Sequence, residues 1–178
     1  MKVNFIDTLK IKVPKNKCVY LILFFIVFIL VPFKVAYADI PASERAALIT
    51  LYNSTNGDNW YNNGGWRTPP LHSDGFALPG TECNWFGVTC SESYVSNISL
   101  DSNHLTGSIP VEIGNFTKLT ILALDHNQMT GILPSAIGNL IFLQYLDLGG
   151  NQFTGSIPAE LGNLINLEEL HLGATHLT

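Results

Sequence analysis

Basic residues are scarce in this sequence after Ala38. Six of the nine Lys and Arg residues lie before residue 39, and the rest of the chain carries three of them against 13 Asp and Glu, a net charge of −10. Nucleic acid and anionic membrane surfaces are bound through clustered Lys and Arg. The composition therefore argues against both of these partners and is compatible with a cationic or neutral polar ligand.

Cysteine is also rare, with three in the chain. Cys18 lies in a segment that we expect to be removed on export, which leaves Cys83 and Cys90. An even pair in an oxidising compartment favours a disulfide. A metal site would need more ligands, and no His stands at ligand spacing from this pair, so we predict neither a metal nor a cofactor.

The sequence has no apolar run of the roughly 20 residues that a membrane span usually needs. Its main apolar stretch extends from Cys18 to Phe33, follows five lysines and precedes Ala36-Tyr37-Ala38. This order predicts a secretory signal over residues 1–38, cleaved after Ala38. We therefore expect a protein that is secreted or held at the cell surface. An uncleaved membrane anchor is the alternative.

Internal repetition is what the sequence does contain. Equally spaced copies of one pattern begin at Val95, Leu119, Leu143 and Leu167, and the fourth stops half-built at Thr178. Apolar residues occupy repeat positions 1, 4, 6, 11, 15, 19 and 22 of these copies. The spacing from position 4 to position 6 is typical of a short strand with one buried face, so each repeat is predicted to lay one strand parallel to the previous one.

The residues after each strand predict how the chain turns and returns. An Asn at position 9 carries the donor and acceptor groups that a buried turn requires, and we assign it a structural role. Thr-Gly pairs follow, and then a Pro excludes a regular helix, so the returning side is predicted to be irregular or 3₁₀. The residues in question are Asn103, Asn127 and Asn151 and Pro110, Pro134 and Pro158.

The pattern L-x-x-L-x-L-x-x-N-x-L-T-G-x-I-P-x-x-I-G-N-L, read in residues 143–166 and their neighbours, resembles the plant-type leucine-rich repeat. Such repeats occur in extracellular parts of receptor-like proteins and in exported bacterial homologues. The resemblance covers residues 95–178. It implies an α/β repeat solenoid, right-handed and curved, with a parallel β-sheet on the concave side that serves as a binding surface.

Residues 39–94 show no repeat and are predicted to form an N-terminal cap. A helix is expected from the capping residue Ser43 to about Asn53, and residues 68–81 are expected to be an extended surface loop. Residues 83–90, with Trp85 among them, are similar to the C-x-W-x-G-V-x-C of the cap in plant-type repeat proteins. The cap would then cover the first strand's core edge. A sugar-stacking site is the alternative for its aromatic residues.

The candidate ligand site is the concave face. Repeat positions 3, 5 and 7 point opposite to the buried positions 4 and 6, and equal positions of adjacent strands are neighbours about 4.8 Å apart. Ile121 and Tyr145 form an apolar and aromatic spot, which acidic and histidine side chains surround. The predicted ligand-binding residues are Ile121, Tyr145, Asp147, Glu169, His171, Asp101 and Asp125.

Catalysis is not expected on this face. Ser102 and His126 share a column and Asp125 adjoins His126, but no oxyanion hole, pocket or orienting partner is evident. Asp101 and Asp125 alone fall short of a calcium site. We therefore predict a non-enzymatic module that binds a protein, a peptide or a glycan. The alternatives are part of the ectodomain of a larger receptor-like protein or adhesin, and an exported hydrolase inhibitor or structural surface protein.

Two further features of the sequence lead to expectations. The fourth copy has Thr175 in place of the Asn at position 9 and is followed by no polar cap, from which we expect an incomplete chain whose last strand frays or self-associates. Glycosylation sequons occur at Asn53, Asn97 and Asn115, and they matter where the host glycosylates exported protein.

Overall fold

A computed structural model describes residues 39–178, so the predicted signal at residues 1–38, including Cys18, lies outside the described residues. The described chain contains one α-helix, α1 (Ala42–Ser54). Nine strands follow it: β1 (Val88–Ser91), β2 (Tyr94–Ser99), β3 (Thr106–Gly107), β4 (Ile121–Ala123), β5 (Gln128–Gly131), β6 (Tyr145–Asp147), β7 (Gln152–Gly155), β8 (Glu169–His171) and β9 (His176–Leu177).

The larger sheet has the strand order β1-β2-β4-β6-β8. Its last four strands are parallel and come one from each repeat, and their paired residues are one repeat apart, as between Leu122 and Leu146. This confirms the predicted parallel sheet. The strand β1 belongs to the cap and runs antiparallel to β2, so it closes the edge of the sheet at the first repeat.

A second sheet, in the order β3-β5-β7-β9, was not expected. The Thr-Gly pairs that we assigned to an irregular return lie in its parallel strands β3, β5 and β7, and β9 pairs with β7. The cause is visible in β5, where Met129 is buried while Gln128 and Thr130 on either side are exposed. Strands of two to four residues are too short for this alternation to be recognised in one copy of the sequence.

The convex side is built from 3₁₀ helices, which confirms the prediction from the prolines. Each begins directly after its proline and spans five residues, because the fixed φ of proline suits a helix start while the residues before it stay extended. The three helices are Val111–Asn115, Ser135–Asn139 and Ala159–Asn163. Two further 3₁₀ turns, Gly57–Asn59 and Glu82–Asn84, lie in the cap.

The cap helix departs from the sequence expectation at its start. Helix α1 begins at Ala42, its N-cap residue is Pro41, and no side chain caps it, so Ser43 is not the capping residue. Proline at this boundary fixes the backbone φ, and its backbone oxygen accepts hydrogen bonds from the N–H groups of Glu44 and Arg45. The predicted apolar face is buried, and Glu44 lies on the same face with 1% of its surface exposed.

The core of the cap is aromatic. Trp66 contacts Trp60 and Trp85 at ring centroid distances of 5.2 and 4.7 Å. All three are buried, so their surfaces are not open to a sugar, which supports the structural interpretation. The prediction of a surface loop at residues 68–81 is only partly correct. Most of the loop is exposed, but Phe76 and Ala77 are buried in this core.

The motif at residues 83–90 joins the cap to the first repeat. Cys83 and Cys90 form the predicted disulfide. Gly87 has a φ of +79°, and a Cβ at this position would lie 2.5 Å from the backbone oxygen of Ser99. A glycine is therefore required where the cap approaches β2.

Burial in the repeats follows the number of neighbours. At position 4, Leu122 and Leu146 are fully buried, whereas Leu170 in the last described strand of the larger sheet is 45% exposed. Leu170 has a packing neighbour on one side within the described chain.

Among residues 39–178, no helix is long and apolar enough to cross a membrane.

Candidate ligand-binding face

The concave face consists of the side chains at repeat positions 3, 5 and 7. The register places Ile121 beside Tyr145 and Tyr145 beside Glu169. It likewise places Asp147 between Ala123 and His171. The predicted columns are therefore confirmed as structural neighbours, while their role in binding stays a prediction.

Tyr145 is held at the centre of this face by two neighbours. Its hydroxyl donates a hydrogen bond to Oδ2 of Asp147 at 3.1 Å. Its ring lies 5.6 Å from the imidazole of His171, measured between centroids. The backbone N–H of Gly149 donates to the other oxygen of Asp147 at 2.9 Å. Because Asp147 is itself fixed by the Gly149 bond, it anchors the hydroxyl of the half-buried Tyr145 ring.

Each histidine of this region contacts an acid. Nδ1 of His126 lies 2.7 Å from Oδ2 of Asp125, and Nε2 of His171 lies 3.3 Å from Oε2 of Glu169. The Asp125 carboxylate, followed by Asp147 and Asp101, raises the pKa of His126 above its ordinary value. Partial burial, followed by the hydrogen bond to Asp147, raises the pKa of Tyr145. The rise in the pKa of His126 reflects the negative potential of the carboxylates around it, whereas the rise for Tyr145 comes first from burial.

The cationic side chains of residues 39–178 lie away from the concave face. Arg45 is bound to Asp74 and Glu82 within the cap, and Arg67 is bound to Asp58 at 2.8 Å. Lys118 places its ammonium 4.1 Å from the ring centroid of Phe142. The four carboxylates of the face, Asp101, Asp125, Asp147 and Glu169, are therefore not neutralised by Lys or Arg in the described structure.

An exposed apolar strip before the strands was missed by the sequence reasoning. Ile141 and Phe142 are 46% and 41% exposed, and Ile165, in the next copy, is 82% exposed. These residues occupy repeat positions 23 and 24, outside the apolar positions of the repeat. The sequence did contain a signal for this strip, because apolar residues stand at positions 23 and 24, where the repeat pattern does not require them.

The structure gives no catalytic arrangement around Ser102. Ser102 and His126 both have positive φ values, 50° and 52°, and both are exposed. In the described part of the chain His126 contacts Asp125, but no hydrogen bond joins it to Ser102. Within residues 39–178 no group of three His, Cys, Asp or Glu side chains is placed to hold a metal ion.

The position 9 asparagines connect successive repeats. Asn127 and Asn151 are buried and donate from Nδ2 to backbone oxygens of their own repeat and of the previous one. Asn103 bonds instead to the backbone N–H and oxygen of Asn62, and so ties the cap to the first repeat. These residues, together with the buried Trp85, are the predicted structural residues.

These features define a leucine-rich-repeat protein with a capped first repeat. The leucine rich repeat family matches residues 93–153 and again residues 117–177. These residues are repeats of this family, and together with the cap they make the chain a leucine-rich-repeat protein of the plant type.

Solved structures of plant receptors are similar to this chain. The BIR2 ectodomain from Arabidopsis thaliana is 28% identical with a TM-score of 0.65, over 79% of this chain and 70% of that one. The crystal structure of PEPR1-AtPEP1 is 31% identical in sequence with a TM-score of 0.62, and the match covers 77% of this chain and 18% of that one.

A third similar structure is the leucine-rich-repeat ectodomain of the membrane receptor kinase GASSHO1/SCHENGEN3 from Arabidopsis thaliana, in complex with CASPARIAN STRIP INTEGRITY FACTOR 2. It is 33% identical with a TM-score of 0.60, over 74% of this chain and 15% of that one. The chain thus spans less than a fifth of two of these three structures.

Proposed function

We propose that this chain is an exported, non-enzymatic recognition module that binds a protein or a peptide through its concave face. The observation that carries the proposal is the oriented ring of Tyr145, flanked by Ile121 on the strand before and by Glu169 and His171 on the strand after. An aromatic side chain that is partly exposed and already fixed, as Tyr145 is, loses little entropy on binding, and such residues are frequent hot spots.

The relatives support this proposal and its extracellular location. The similar structures include receptor ectodomains, and one of them is in complex with CASPARIAN STRIP INTEGRITY FACTOR 2. Membership of a larger receptor-like protein is the second proposal, supported by the same relatives. The adhesin, hydrolase-inhibitor and structural-protein alternatives, and a glycan ligand, gain no support from these relatives.

The charge of the face indicates the chemistry of the ligand. With four carboxylates and no Lys or Arg of the described chain beside them, the face attracts a segment that carries Lys or Arg. Ile121 and the ring of Tyr145 offer apolar contact area next to these charges. We therefore expect a ligand with at least one basic and one apolar side chain, whose association weakens as salt is added.

The test uses peptides selected from a phage-displayed random library on the full chain, then synthesised and titrated by calorimetry. Tyr145→Ala removes the central ring and Glu169→Gln removes one charge. Tyr61→Ala and Glu160→Gln are the matched controls, because both side chains are exposed outside the concave face. We expect at least a tenfold loss of affinity from Tyr145→Ala, a smaller loss from Glu169→Gln and no change from the controls.

Two results would overturn the proposal. One is the selection of peptides whose affinity is unchanged by both concave-face variants. The other is a selection in which the wild-type chain enriches no more peptides than the double variant Tyr145→Ala with Glu169→Gln.

A further inference from the structure

The chain contains three sequons, and their surroundings differ in the structure. Transfer of a glycan requires access to the Asn amide and to the hydroxyl two residues later. Burial and hydrogen bonding of these two groups can therefore be compared at Asn53, Asn97 and Asn115.

At Asn115 both groups are accessible. Asn115 is the last residue of its 3₁₀ helix on the convex side and is exposed, as is Thr117. Within residues 39–178, neither side chain forms a hydrogen bond. Phe116 between them is fully buried and fixes the turn, which the Thr117 N–H closes by donating to the Asn115 backbone oxygen at 2.9 Å.

At the other two sequons the required groups are engaged. Asn97 lies within β2 on the concave face, and its Oδ1 accepts a hydrogen bond from Ser99, the hydroxyl of its own sequon, at 2.8 Å. Asn53 lies within helix α1, and the hydroxyl of its sequon, on Thr55, is buried and donates to the Leu51 backbone oxygen at 2.6 Å.

The same turn recurs without a sequon in a later repeat. Asn163 ends its 3₁₀ helix as Asn115 does, and the N–H of Ile165 donates to the Asn163 backbone oxygen at 2.9 Å. Asn163 and Ile165 are both exposed, but Ile165 has no hydroxyl. The chain thus provides an internal control in which one substitution supplies the missing group.

We propose that Asn115 is an N-glycosylation site, an inference that rests on the proposed export. An oligosaccharide passes from a lipid-pyrophosphate donor to Nδ2 of Asn115. The bond between the sugar anomeric carbon and the pyrophosphate oxygen breaks, a carbon–nitrogen bond forms, the amide loses one proton and the lipid pyrophosphate leaves. The glycan projects from the convex side, which leaves the concave face free for a ligand.

The full chain is expressed in cultured insect cells, both with its own residues 1–38 and with a foreign secretion signal in their place. Peptide mass mapping of the exported protein, before and after enzymatic glycan release, locates each glycan. The variants are Asn115→Gln, Thr117→Ala, Asn97→Gln and Ile165→Thr. We expect a glycan at Asn115, its loss in the first two variants, no loss of glycan for Asn97→Gln, and a second glycan at Asn163 for Ile165→Thr.

The two expression arms separate this proposal from that of export. If the protein with its native residues 1–38 stays inside the cell, only the proposal of export is contradicted. The protein with the foreign signal still tests whether Asn115 is modified. Exported protein with an unmodified Asn115 overturns the glycosylation proposal. It is also overturned if Asn97 or Asn53 is occupied while Asn115 is empty, or if Ile165→Thr acquires a glycan that Asn115 lacks.

Discussion

The side chain of Asn127 is buried, with 7% of the residue exposed, and it is hydrogen-bonded to five backbone groups. Its Oδ1 accepts from two backbone N–H groups of the previous repeat, and the two hydrogens of its Nδ2 are shared among three backbone oxygens. The partners are Asn103 and Leu105, and then Leu100, Leu124 and Asp125. One amide thus satisfies buried backbone groups of two repeats.

We predict that Asn127→Ala destabilises the chain by at least about 3 kcal/mol, because several buried backbone groups lose their partner together. Asn127→Thr is expected to cost less, since Thr175 in the fourth copy donates to the Leu172 backbone oxygen at 2.7 Å. Urea unfolding measures both. The exposed Asn163→Ala is the control and should change the free energy of unfolding by less than about 0.5 kcal/mol.

The contact between His126 and Asp125 is the second residue-scale prediction. Because Asp125 raises the pKa of His126, the contribution of this contact to stability is full below the ordinary His pKa. It is lost as the pH rises through the raised value. Asp125→Asn should lower the titration midpoint of His126 in NMR spectra, and more than Asp101→Asn does. Equal midpoints in wild type and Asp125→Asn would contradict the assignment.

At the scale of elements, periodicity made the concave strands and the 3₁₀ segments predictable, although it did not reveal the second sheet, whose short strands recur as well. The concave strands and the 3₁₀ segments recur at fixed positions, so the copies reinforce one another. In the cap, by contrast, Phe76 and Ala77 enter the core from a loop without any period. The burial of Glu44 did have a signal, because it lies three and four residues before Ala47 and Leu48 on one helical face.

One contact offsets part of the cost of burying the Glu44 carboxyl, whose Oε1 has no hydrogen-bond partner among the described residues. Its Oε2 accepts a hydrogen bond from the backbone N–H of Val95 at 2.7 Å, where the repeats begin. Burial raises the pKa of Glu44. The polar contact therefore joins the cap helix to the first strand of the repeats, at a position where the sequence pattern alone predicts an apolar residue.

The disulfide is expected to stabilise the cap more than the repeats. Closing a loop of this length contributes about 2.5 kcal/mol by the chain-entropy estimate. The double variant Cys83→Ser with Cys90→Ser should lower the urea midpoint of tryptophan fluorescence, since Trp60, Trp66 and Trp85 all lie in the cap.

Amide hydrogen exchange in the same variant separates the two parts of the chain. Protection should fall first in α1 and β1 and remain in β6. A simultaneous and equal loss across the cap and the repeats would contradict a local effect of the disulfide.

At the scale of the whole molecule, stability should decline along the repeats. Leu122 and Leu146 are packed from both sides, whereas Leu170 is 45% exposed and β8 has one hydrogen-bonded neighbour within the described chain. In a solenoid each repeat is stabilised by its neighbours. The amide hydrogens of β8 should therefore exchange faster than those of β6. The amide hydrogens of β6 should exchange at least as fast as those of β4.

A substitution at the exposed leucine tests the same prediction. Leu170→Ser should raise the solubility of the chain or lower its self-association in sedimentation experiments. The equivalent change at the buried Leu146 should unfold the repeats. Uniform protection up to Leu172 in a monodisperse monomer would refute the decline.

The antiparallel strand β1 also has a consequence for the time order of folding. The elements that pack against the cap side of β2 all precede it in the chain; they are α1, the aromatic core and β1. Each later strand of the larger sheet pairs with the strand that was synthesised one repeat earlier. At about 5–20 residues per second, a ribosome completes one copy every few seconds at the slowest, far longer than a short strand needs to pair. Each strand can thus dock onto a finished template as it emerges, and synthesis itself sets the pace of assembly.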